Sequence, residues 1–200
     1  MAINVANNNS LASITALPSG VSGGAMTLLE TQTASSSATL SFTSNIDDTY
    51  DEYVFKFYDI HPATDETYLN FNFTIDGTNW NVTKTSTVFR ADHNENDTGT
   101  SFEYWGSRDL AQATGFQNIG FAMGNDNDQA TSGELKIYAP SSTTFVKHFV
   151  AVSNNIHASD ITLQGFVAGY GNTTSAVTGV QFKMSSGDID AGVIKMYGVS

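Results

Sequence analysis

From about residue 38 onward, apolar side chains recur at every second position, in short runs separated by Gly, Asn, Asp and Ser. Residues 38–43 place Ala38, Leu40 and Phe42 on one side. In 52–60 (EYVFKFYDI), Tyr53, Phe55 and Phe57 share a face; in 68–76 (YLNFNFTID), Leu69, Phe71, Phe73 and Ile75 oppose Asn70, Asn72 and Thr74. A period of two is that of a strand with one face buried. Further strands are predicted at 80–89, 101–105, 116–123, 133–139, 144–152, 161–170, 179–185 and 192–199. No stretch holds a helical period, and helix is expected only as a turn or two near Arg108–Ala113. Asp76-Gly77, the Gly124–Asp128 loop and Ser186-Gly187-Asp188 supply turn chemistry between the strands.

Many short strands with polar turns argue for a sandwich or barrel. The expected fold is all-β, an antiparallel β-sandwich of jelly-roll type with about ten or eleven strands. Residues 1–25 are rich in Asn, Ser, Gly and Ala, with Pro18, Gly20, Gly23 and Gly24 breaking regular structure. They are expected to form an extended N-terminal arm on a single domain spanning 26–200. Leu11, Ile14, Leu17 and Val21 give that arm apolar groups to bury on a neighbouring subunit; a disordered leader is the competing reading.

Charge narrows the partners. Lys and Arg number 8 against 20 Asp and Glu, a net charge of −12. Such a chain repels phosphate backbones and anionic lipid, so neither nucleic acid nor membrane is expected as a partner. There are no cysteines, which removes disulfides and thiolate chemistry. The opening residues carry no basic region followed by an apolar core, so synthesis in the cytoplasm without a secretory signal is expected.

Candidate chemistry is sparse. His61, His93, His148 and His157 lack metal-ligand spacing, no nucleophile motif is present, and the acids cluster in turns rather than on apolar strands. An enzymatic role is therefore not expected, and no cofactor is expected apart from calcium as a candidate. Alternating Asp and Asn oxygens suit that cation, and Asn125, Asp126 and Asp128 are the best such loop; solvated acidic turns are the competing reading. Trp80, Tyr104 and Trp105 are candidates for a glycan-stacking surface, weighed against burial in a core or interface.

Four segments carry a resemblance: 11–20 (LASITALPSG), 55–62 (FKFYDIHP), 141–148 (SSTTFVKH) and 182–199 (FKMSSGDIDAGVIKMYGV). The last contains the pattern G-x-I-x-x-G-x-I-x-x-Y-G between Gly187 and Gly198. Together they resemble small structural proteins of marine bacteriophages, on the tail or capsid exterior. The resemblance implies a virion protein, often oligomeric, and carries no catalytic residues. The expectation is a non-enzymatic structural subunit on the particle exterior, either capsid decoration or tail exterior. It would pack with other copies of itself as a homotrimer and with other virion proteins. A tail-fibre module that recognises host surface glycan is the alternative.

Overall fold

The computed structural model describes residues 26–200. The arm residues Leu11, Ile14, Leu17 and Val21 lie outside the described residues. Twelve strands occur in the described chain: β1 (Thr27–Thr33), β2 (Leu40–Phe42), β3 (Glu52–Pro62), β4 (Leu69–Thr74), β5 (Lys84–Asn94), β6 (Thr100–Tyr104), β7 (Gln117–Asn118), β8 (Thr131–Tyr138), β9 (Lys147–His157), β10 (Ile161–Gly171), β11 (Gly179–Met184) and β12 (Ile189–Val199). Eight form a large sheet in the order β1-β12-β3-β8-β9-β10-β5-β6, and four a small sheet in the order β2-β11-β4-β7. Every strand pairing is antiparallel.

The two sheets face each other across one aromatic core. From the small sheet come Phe42, Phe71, Phe73 and Phe182; from the large sheet, Phe55, Phe57 and Phe149. Phe42 meets Phe55 edge-on at 5.3 Å, and Phe71 meets Phe149 at 5.1 Å. Each fully buried Phe contributes roughly 1.5–3 kcal/mol of transfer free energy, and edge-on rings add to this. The period-two runs therefore form sheets because each supplies one such face.

Several expectations change in the structure. β1 was not expected: Thr27-Leu28-Leu29-Glu30 does not alternate, and the strand carries a register shift between Leu28 and Glu30. The 80–89 run becomes extended only at Lys84, and the 116–123 run forms a strand only at Gln117–Asn118, with isolated bridges from Met123 to Thr67 and His157. Beyond that pair, the amides of Ile119 and Gly120 both donate to the Leu69 carbonyl, at 2.8 and 3.0 Å, which ends the regular ladder. No helix forms over Arg108–Ala113. That segment lies along β5 instead: the amides of Lys84 and Ser86 donate to the carbonyls of Ala113 (2.8 Å) and Leu110 (2.9 Å). Ile75, in phase with the core residues of β4, is exposed because the turn begins there.

β4 is buried on both faces. The side predicted to face water carries Asn72, whose amide donates to the carbonyls of Trp80 (2.7 Å) and Thr114 (3.0 Å). Two connecting segments thus cover the strand, and asparagine satisfies their carbonyls where an apolar residue would leave them unpaired. At the other end of the sandwich, β3 and β12 carry irregularities around Asp59 and Ala191. Gly192 lies there at φ 116°, with no room for a Cβ against the Asp59 carbonyl.

Candidate functional site

The outer face of the large sheet changes character across its width. One cross-strand row runs Lys195, Lys56, Glu134, Val152, Phe166, Phe89, Tyr104. Its β12-β3-β8 end is charged, with Lys136 and Glu134 paired at 3.1 Å. Its β9-β10-β5-β6 end is apolar and aromatic. Phe89 stacks on Phe166 at 5.0 Å with the rings 15° from parallel, and Phe102 meets Phe89 edge-on at 5.7 Å. Phe102 is 72% exposed and Tyr104 57%. Next to this strip, Thr85, Thr87, His148, Val150, Ala168 and Tyr170 ring an open hollow of about 360 Å³. These rings are on the surface because the inner positions of the same strands are filled: Leu163, Val167 and Val88 already face the core.

Strand β6 forms the edge of this region, and all five of its residues are exposed. Its hairpin register with β5 runs from Phe89↔Tyr104 to His93↔Thr100 without a shift. The amide of Asn94 donates to Gly99 (3.0 Å) and that of Trp105 to Val88 (2.7 Å). In an antiparallel ladder bonded pairs alternate, so Ser101 and Glu103 turn their backbone groups toward β5. Thr100, Phe102 and Tyr104 turn theirs outward.

Trp105 lies on the inner side of the same edge. The Arg90 guanidinium sits 4.2 Å from its ring centre and that of Arg108 5.5 Å, while Phe121 packs against it at 5.4 Å. Arg108 also stacks on Tyr68 at 4.0 Å and donates to its hydroxyl at 2.7 Å. Arg90 is held by Glu103 at 2.7 Å. Both arginines of the chain are thus spent on closing this end of the core.

The three glycan-stacking candidates are not brought together. Tyr104 faces outward beside Phe89, its hydroxyl donating to the Asp109 carboxylate. Trp105 is enclosed by the arginines. Trp80 belongs to the connection from β4 to β5 and approaches Gly179 on the small sheet. In the calcium candidate loop, the Asn125 amide donates to Asp65 (3.2 Å), the Asp126 carbonyl accepts from Gln129 (2.9 Å), and Asp128 borders a separate hollow with Asp59, His61 and Asp190. Among the described residues, no group of three or more His, Asp or Glu is placed to hold a metal ion.

Two lysines are fully buried. Lys84 and Lys147 both stand opposite Gly171, from the strands on either side of it. Lys147 donates to three carbonyls, those of Ser142 (2.5 Å), Phe145 (2.7 Å) and Thr173 (3.4 Å). Lys84 has two acceptors, the Asn72 side-chain oxygen and the Val82 carbonyl (2.8 Å). Burial pushes Lys84 down to about 7 and lowers Lys147. Among the described residues no acid pairs with either, and both serve the packing rather than a cleft.

The residues that sequence reasoning missed are Phe89, Phe102 and Phe166. For Phe166 the signal was present: in 161–170, Leu163, Gly165 and Val167 face inward, and Phe166 follows Thr162 and Gln164 on the opposite face, an apolar ring among polar residues. No protein-family model, curated protein or solved structure matches the chain.

Proposed function

We propose that the chain is a non-enzymatic structural subunit of a bacteriophage particle exterior, assembling through the aromatic β5–β6 side of its large sheet. The observation that carries this reading is the aromatic strip on that face, in which Phe102 and Tyr104 are exposed and lie against the half-buried pair Phe89 and Phe166. Contiguous apolar surface on a soluble domain marks a surface that gets covered.

A jelly-roll fold is part of the proposal. The strand orders β1-β12-β3-β8 and β2-β11-β4-β7 support it. The chain alternates between the sheets from both ends inward, β1 to β2, β3 to β4, then β7 to β8 and β11 to β12. That is the winding of two interlocked four-stranded Greek keys. The hairpins β5–β6 and β9–β10 are insertions that widen one sheet. Capsid and lectin domains use this architecture, an analogy that favours a particle-surface role without assigning it.

Light scattering after size exclusion tests the assembly claim. A self-associated species above the 21.4 kDa chain mass is expected at micromolar concentration. A strict monomer at high micromolar concentration would remove the basis of the proposal.

A further inference from the structure

We propose that two copies of this chain join edge to edge through β6, related by a two-fold axis at Phe102, to make one sheet continuous across the pair. This rests on the assembly reading above and names its partner and register.

The edges of the molecule are not equivalent. On the small sheet, β2 has three residues and β7 two, too short to template a partner. On the large sheet, β1 is interrupted by its register shift and carries Glu30. Only β6 among these edges is regular over five residues, free of Lys and Pro, and aromatic. Natural edges are commonly guarded by charge, proline, bulges or brevity. An edge with no proline or bulge, whose one charge, Glu103, is already paired with Arg90, and which presents outward N–H and C=O groups at Thr100, Phe102 and Tyr104, is built to receive an extended strand.

The strand suited to it is its own copy. Antiparallel pairing centred on Phe102 sets Phe102 against Phe102 and Thr100 against Tyr104. Each outward N–H and C=O then finds its equivalent, because those same residues carry the free groups on the second copy. Charge agrees with this register. Every copy carries −12, so contact requires a site where acids are absent or neutralised. Glu103 is the sole charge on β6; Arg90 already pairs with it, and in this register it faces Ser101 of the other copy instead of a second Glu103. A register centred on Glu103 would oppose like charges, which destabilises a strand pair. The two-fold also places both aromatic strips on the same side, so that Phe102 of each copy continues the other's stack. Such an isologous contact closes at two copies. The expected homotrimer would need β6 to meet a different surface, and the other edge of the same sheet is the interrupted β1.

The absence of cysteine allows a clean test in the full chain. In a hydrogen-bonded antiparallel pair the Cα atoms lie about 5.5 Å apart, inside the roughly 4.4–6.8 Å span of a disulfide. Phe102→Cys should therefore cross-link to a dimer under mild oxidation. Thr100→Cys should not, because its own copy is displaced by about 13 Å along the strand. Phe102→Lys should run at 21.4 kDa at concentrations where the natural chain runs at twice that mass. Phe102 is exposed, so these variants are expected to keep the circular dichroism of the parent. Equal cross-linking at both positions, or a natural-chain oligomer indifferent to Phe102→Lys, would overturn the β6 register while leaving assembly by another surface standing. A natural chain that stays monomeric would overturn both.

Discussion

Lys84 and Lys147 occupy inward positions, in phase with Ser86 and Val88 on β5 and with Phe149 and Ala151 on β9. Flanking Gly171, they sit about two strand spacings apart, or roughly 10 Å. Their surroundings support the charged form to different degrees. A protonated amine has three N–H groups and a neutral one has two. Lys147 meets three carbonyls and suits the ammonium; Lys84 meets two acceptors and suits the neutral amine. Burial lowers Lys84 from its ordinary 10.5 to about 7, whereas the unfolded chain keeps the ordinary value. Between these values the unfolded state binds the extra proton, so stability rises with pH from about 7 toward 10.5 and is flat below 7. The steepest slope from one group is about 1.4 kcal/mol per pH unit. Urea unfolding from pH 6 to 9 should show this rise in the natural chain and a shallower one in Lys84→Met, where Lys147, also lowered by burial, still contributes, whatever the constant cost of leaving Asn72 and the Val82 carbonyl without a donor. Parallel pH curves for the two proteins would mean that Lys84 remains charged in the folded state.

At the scale of the strand, β10 shows how the core makes room for its rings. Gly169 sits between β5 and β9, and a Cβ there would lie 2.4 Å from the Thr85 carbonyl and 2.8 Å from the Phe149 ring. The carbonyl belongs to the ladder and cannot swing aside. Gly169→Ala should therefore cost about 1–3 kcal/mol, the range for overpacking. Gly115→Ala, where a Cβ meets nothing within 4 Å, should be near neutral. Urea midpoints compare them, and equal values would show that the sheet relaxes more than its backbone suggests. The same strand marks what a sequence can reveal. Period-two alternation located β3, β4, β8, β9, β10, β11 and β12 to within a few residues, because one face of each is buried against the other sheet. It could not see β1, whose exposed edge needs no alternation, or the burial of Asn72, which depends on loops distant in sequence. Trp80 and Trp105 were legible as aromatics but not as separated ones. That adjacent Tyr104 and Trp105 face opposite ways follows from the period of a strand over 101–105, but only the folded register shows which of them faces the core. Phe166 was readable as an apolar residue out of phase, yet its stacking on Phe89 depends on a strand some seventy residues earlier in the chain.

Across the whole molecule, the balance between the aromatic edge and the net charge governs association. Two copies at −12 each repel at long range, while the proposed contact consists of main-chain hydrogen bonds and rings, with its single acid paired internally. Salt acts on these contributions differently. The screening length falls from about 30 Å at 0.01 M to about 3 Å at 1 M, which removes the repulsion between distant charges but leaves the strand pairing intact. Apolar contact is not weakened by simple screening, since it arises from water rather than from charge. Dimerisation should accordingly strengthen as salt rises, with dissociation constants from sedimentation equilibrium falling between 0.01 M and 1 M. An interface built from cross-subunit ion pairs, such as one using the Lys56, Lys195 and Glu134 end of the same sheet face, would respond in the opposite direction. The sign of the salt dependence therefore separates the two ends of the outer face without any mutation. A dimer that weakens in salt would assign association to the charged strands and leave the β6 edge without a role in it.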